Sequence, residues 1–109
     1  MAYDEQLAAR IRTLLVHRRG VSEKEQFGGV GFLFRGNMAC GVIGKDLLVR
    51  VGPEGHESAL KGQHVRPFAI TGKPARGWIL VVPAGTRTPA SLKKWVERGL
   101  EFARTLSPK

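Results

Sequence analysis

Apolar residues recur at helical spacing near both ends of the chain and alternate with polar ones in the middle. From Asp4 to Arg18, Leu7, Ile11, Leu14 and Leu15 fall on one stripe, which predicts an amphipathic helix. Asp4 and Glu5 stand in its first turn and His17, Arg18 and Arg19 at its end, the charge order that a helix dipole favours. Gly20 supplies a left-handed stop. Towards the other end, Leu92, Trp95, Val96, Gly99, Phe102, Ala103 and Leu106 form a second stripe. Thr88 reads as its cap and Pro89 as its first residue, with Ser107-Pro108 ending it.

Between these helices the period changes to two. Val30, Phe32 and Phe34 alternate with Gly31, Leu33 and Arg35, and Gly36-Asn37 reads as a hairpin dipeptide before a returning strand over Met38 to Ile43. Gly44-Lys45-Asp46 is a second turn, and Leu47, Val49 and Val51 then alternate with Leu48 and Arg50. A short additional strand is read around Ser22 to Phe27. Gly52-Pro53-Glu54 reads as the start of a short helix ending at Lys61-Gly62. Pro67, Gly72, Pro74 and Gly77 punctuate Gln63 to Gly77 as a loop or an irregular edge. A last strand, Trp78 to Val82, is stopped by Pro83.

The order is therefore α-β-β-β(-β)-α-β-α. Strands joined in series by tight turns predict one α+β domain over residues 1–109: a two-layer fold, mostly antiparallel sheet with flanking helices. Trp78-Ile79-Leu80-Val81-Val82 is apolar on both faces, whereas a two-layer domain covers one face only. The second face must meet a curled part of the same sheet or another subunit, and a homodimer is one expectation.

The 109 residues suit a single domain, and 42% hydrophobic content excludes disorder. One cysteine, Cys40, excludes an internal disulfide framework and fits a reducing compartment. The N-terminus carries acid where a signal peptide needs base, and no apolar run is long enough to span a bilayer. These features predict a cytoplasmic protein with no membrane partner. The net charge of +9 favours anionic partners. Charge is also unevenly placed: Ser58 to Val96 contain no Asp or Glu. Lys61, Arg66, Lys73 and Arg76 in that stretch are the candidate anion- or partner-binding residues, weighed against a solvated loop. If they bind DNA, each phosphate contact steepens the salt dependence by about 0.9 log units.

Residues that could carry chemistry do not assemble into a motif. Cys40 lacks a histidine placed beside it by the sequence, and a core position suits it better than a nucleophile. His56 and His64 stand eight apart without a cysteine pair, so no metal site is expected and both read as solvated histidines. Glu54 and Glu57 read as first-turn charges, Glu97 and Glu101 as solvent-facing helix residues. Gly28-Gly29-Val30-Gly31 is followed by no Gly-Lys-Ser/Thr, which removes a phosphate loop. Phe32 and Phe34 echo the base-stacking strand of an RNA-recognition fold, and exposure decides between that and core packing, which is favoured. No catalytic residue and no cofactor is expected.

Several short segments resemble, in order, the N-terminal domain of the TfoX/Sxy family of competence regulators. They are Phe27-Gly28-Gly29, Gly36-Asn37-Met38, Cys40-Gly41-Val42, Leu48-Val49-Arg50-Val51-Gly52, Thr71-Gly72-Lys73-Pro74 and Gly77-Trp78. Tyr3-Asp4-Glu5 and Trp95-Val96-Glu97-Arg98 look typical of its small single-domain members. The resemblance implies a two-layer α+β fold related to secretion chaperones and a role in activating competence genes with the cyclic-AMP receptor protein. Its classical members carry a second, helical domain, and this chain stops at Lys109. An RNA-methylase assignment finds no support, because the glycine-rich strand-turn-helix is missing and the chain is too short for a methyltransferase domain. The expectation is a non-catalytic regulatory module with a protein partner, and a basic nucleic-acid-binding accessory is the alternative.

Overall fold

A computed structural model describes residues 3–26, 28–70 and 72–109, apart from the side chains of Gln26, Ile70 and Pro74. Helix α1 (Glu5–Leu15) starts where the Asp4 carboxylate accepts hydrogen bonds from the Gln6 and Leu7 amides at 2.9 and 3.1 Å. Four strands follow: β1 (Val21–Gln26), β2 (Gly29–Phe34), β3 (Asn37–Ile43) and β4 (Asp46–Arg50). A short helix α2 (His56–Leu60) leads to β5 (Val65–Ile70) and β6 (Lys73–Val81). Helix α3 (Pro89–Arg104) closes the fold, capped by the Thr88 hydroxyl, which accepts from the Ser91 amide at 3.0 Å. This is the predicted α+β architecture, with one strand more than the α-β-β-β(-β)-α-β-α reading.

The strands form one antiparallel sheet in the order β1-β2-β3-β4-β6-β5. Because β6 returns between β4 and β5, it is an inner strand, consistent with its apolar residues on both faces. One face is covered by helices. Leu7, Ile11, Leu92, Val96, Leu100 and Ala103 from α1 and α3 bury against the strands. Gly99 permits the closest approach, since a Cβ there would lie 2.3 Å from the Ala39 carbonyl oxygen. The cross-strand rows Val30-Val42-Leu47-Val81 and Phe32-Cys40-Val49-Ile79 meet these helices and are buried throughout.

Several local readings are changed or narrowed. The first hairpin turns on Arg35-Gly36, both at positive φ (49° and 86°), one residue before the expected Gly36-Asn37. Asn37 instead begins β3, buried, and donates from Nδ2 to the Ser107 carbonyl at 2.8 Å. The short helix begins at His56, after a turn through Pro53 to Gly55. Gln63 to Gly77 is the β5–β6 hairpin, an irregular edge whose register shifts between Pro67 and Ala69. His56 is buried, with Nε2 lacking a hydrogen-bond partner among the described residues, so it is not a solvated histidine. Glu97 of α3 pairs with Arg18, which lies just past the end of α1. The motif residues Phe27 and Thr71, and the Phe27 end of the first strand reading, lie outside the described residues.

Candidate functional site

Among the described residues, no helix lies over the second face of the sheet. Partnered residues of an antiparallel sheet share a face, so the row Lys24-Gly31-Gly41-Leu48-Leu80-Arg66 points away from α1 and α3. Leu33-Met38 and Arg50-Trp78 extend the same face. Lys24, Gly31, Leu33, Met38, Leu48, Arg50 and Trp78 of this face border a groove of about 790 Å³, lined from both edges of the sheet, by Lys24 of β1 and by Phe68 of β5. The sheet therefore curls around the groove, and Trp78 and Leu80 are half-buried.

The groove floor is shaped by the missing side chains of Gly31 and Gly41. A Cβ on either would stand 2.9 Å from Met38 Cε, so the thioether lies over the glycine pair. Leu33, Leu48, Ile43 and Phe68 add apolar surface. The charged lining residues are Lys24, Arg50 and Lys109, all cations. Arg50 is the one held most firmly. Its guanidinium carbon lies 4.9 Å from the Trp78 ring and 5.4 Å from the Phe102 ring. Burial pulls its pKa below the ordinary arginine value. No carboxylate pairs with it among the described residues. Gly52, at φ 84°, lets Phe102 reach the end of β4, since a Cβ there would be 2.4 Å from Phe102 Cε1. Lys109 is brought to the rim by its amide, which donates to the Arg35 carbonyl at 2.9 Å.

The sheet edges are poor places for another strand. β1 presents Ser22, Glu23, Lys24 and Glu25, all exposed, and Glu23 is paired with Arg12 at 2.8 Å. β5 carries Pro67, which lacks an amide, beside its register shift.

The four basic candidates are not gathered in one place. Lys61 ends α2, which lies beside α3 on the helix side. Arg66 projects from the open face and bonds Asp46 at 3.0 Å. Lys73 and Arg76 are exposed in the early part of β6. Lys24, Met38, Arg50 and Trp78, which line the groove, are not among the candidate binding residues read from the sequence. The signal was present in the alternation of Leu48 and Arg50 with Leu47 and Val49, but its meaning required the strand order.

Two chemical questions are settled by position. Cys40 is fully buried in the helix-side row, and burial pushes its thiol up to about 12, far from an activated nucleophile. Phe32 is buried against the helices and Phe34 is half-buried beside the same core, so this pair offers no stacking platform. A smaller cleft of about 360 Å³ lies between α2 and α3, bordered by Ser58, Ser91, Lys94 and Arg98. Among the described residues, no three His, Cys, Asp or Glu side chains converge as a metal site, and no helix is long and apolar enough to cross a membrane.

A curled antiparallel sheet with helices on one side and a cation-rimmed apolar groove on the other defines a compact α+β module. The TfoX N-terminal domain family matches residues 13–103, and the chain belongs to that family. No curated protein and no solved structure matches it.

Proposed function

We propose that this TfoX-type module is a non-catalytic regulator acting through protein–protein contact in transcription or competence-type control, within a reducing cytoplasm. Membership of the TfoX N-terminal domain family carries the reading. The uncovered sheet face supports it, because an apolar groove in an otherwise well-buried small domain is surface suited to a partner. The buried, unactivated thiol of Cys40 is consistent with a role in which no bond is made or broken. Affinity capture with the full chain, followed by mass spectrometry, tests it: a stoichiometric protein partner is expected, and capture of none overturns it. Sedimentation identifies the special case in which that partner is a second copy.

A second reading is favoured by a separate observation, the acid-free stretch Ser58 to Val96 with exposed Lys61, Lys73 and Arg76. There the chain is a nucleic-acid-binding accessory. Gel shifts across a salt series decide it, and unchanged binding by Lys73→Glu with Arg76→Glu sinks it.

A further inference from the structure

We infer that the groove on the open sheet face receives an acidic, apolar peptide segment of a protein partner, with a partner carboxylate on Arg50; this rests on the protein-contact reading above. Three observations converge. First, both edges resist strand addition, β1 by its exposed charges and β5 by Pro67 and its register shift, so a peptide would dock on the face. Second, the groove is apolar at its floor and adaptable at its centre, where Met38 lies over Gly31 and Gly41. Its volume of about 790 Å³ suits a few side chains. Third, its charge is one-sided. Lys24, Arg50 and Lys109 border it and, among the described residues, no acid does. The neighbouring acids are committed elsewhere: Glu23 to Arg12 on the other side of β1, and Asp46 to Arg66.

Arg50 specifies the anion. Stacked between Trp78 and Phe102, it is pre-positioned and partly stripped of water, without a carboxylate partner among the described residues. A carboxylate arriving in an apolar segment restores the missing half of that pair while the flanking side chains fill the floor. Nucleic acid fits less well. Base stacking needs a free aromatic face, and one face of Trp78 already carries Arg50. A bilayer cannot enter a concave recess.

The experiment selects binders to the full chain from a random peptide display library, then measures the synthetic winners by fluorescence anisotropy. The chain has two methionines, Met1 and Met38, so methyl-labelled methionine gives one internal NMR reporter inside the groove. Enriched peptides should place Asp or Glu among apolar residues and shift the Met38 methyl signal. Arg50→Glu should weaken them at least about tenfold, and a peptide with its acid changed to Lys should regain binding to that variant. Lys24→Glu should weaken binding by roughly two- to fivefold. If Arg50→Glu does not fold, Leu33→Asp on the half-buried floor must abolish binding instead.

The inference is overturned if no acidic peptide is enriched, or if the peptides bind these variants as well as the parent chain. It is also overturned if a dT oligonucleotide or phosphatidylglycerol vesicles shift Met38 more tightly than any peptide. Should a protein partner still be captured while groove variants keep binding it, the contact lies elsewhere and the broader reading stands. Capture of no protein removes that reading itself.

Discussion

Phe32 and Leu33 are neighbours in β2, yet one is sealed beneath helices and the other borders an open groove. The same change of face runs across the sheet, Val49 against Leu48 and Ile79 against Leu80, although Leu48 is itself buried. Both faces are apolar, but they are apolar in different ways. The helix face is filled by branched and aromatic side chains that interlock with α1 and α3. The open face alternates glycine, leucine and a flexible methionine, and the cations Lys24, Arg50 and Lys109 border its groove. The lesson is that burial pattern along a strand reports core only when something covers it, and that the uncovered half is where binding is to be sought.

The largest expected break in this comparison is Phe32→Ala. Removing a fully buried ring should cost about 3–5 kcal/mol in chemical denaturation. Leu33→Ala should cost less, under about 1.5 kcal/mol, because Leu33 is only partly buried and the groove can adjust. Equal losses would mean that the two faces are energetically alike.

Next is the alkaline limb of stability, which should trace to the sealed face. The Cys40 thiol is raised by burial from 9.0 to about 12, so the folded state keeps its proton where the unfolded chain has lost it. Stability from this group is therefore complete below about pH 9 and declines as pH rises towards 12, on the order of 1 kcal/mol per pH unit. Urea midpoints measured from pH 8 to 10.5 should fall less steeply in Cys40→Ala than in the parent. A thiol reagent should label native protein no faster than the protein unfolds.

Much of this contrast could be read from the sequence, and the remainder failed for definable reasons. The stripes of α1 and α3, the caps Asp4 and Thr88 and the two-residue alternation of β2 to β4 are local patterns, and each folds as it reads. β5 did not stand out because Pro67, Gly72, Pro74 and Gly77 are loop signals by composition. An edge strand tolerates them, since one side of its backbone has no neighbour to bond. The groove was hidden for a different reason. Lys24, Gly31, Leu48 and Leu80 are far apart in the chain and become a row only through the placement of β6 between β4 and β5. Clustering by sequence position likewise grouped Lys61 with Arg66, although one ends α2 on the helix side and the other leaves the open face.

Glycine substitutions sharpen the same comparison at smaller magnitude. At Gly99 a methyl group would meet the Ala39 backbone oxygen at 2.3 Å, and neither α3 nor β3 can yield without separating the layers. Gly99→Ala should therefore destabilise by about 2 kcal/mol despite its gain in helix propensity. At Gly31 the obstacle is the flexible end of Met38, 2.9 Å away, which can swing into the groove. Gly31→Ala should cost under about 1 kcal/mol, yet move the Met38 methyl resonance.

The smallest effect expected is at Arg66, and it separates the charges of the open face from one another. Its bond to Asp46 at 3.0 Å is solvated on the arginine side, with the Arg66 side chain 59% exposed and that of Asp46 17% exposed. Water competes for the guanidinium and the long side chain must be ordered, so Arg66→Ala should change stability by about 1 kcal/mol or less. Arg50→Ala should cost more, about 1–2 kcal/mol, because it removes a stacked side chain from Trp78 and Phe102 as well as a charge. Thermal melts of the two variants, with an Asp46→Ala cycle for the first, measure the difference. A loss at Arg66 equal to that at Arg50 would make both cations part of the scaffold, and the open face would then differ from the covered one only in what lies over it.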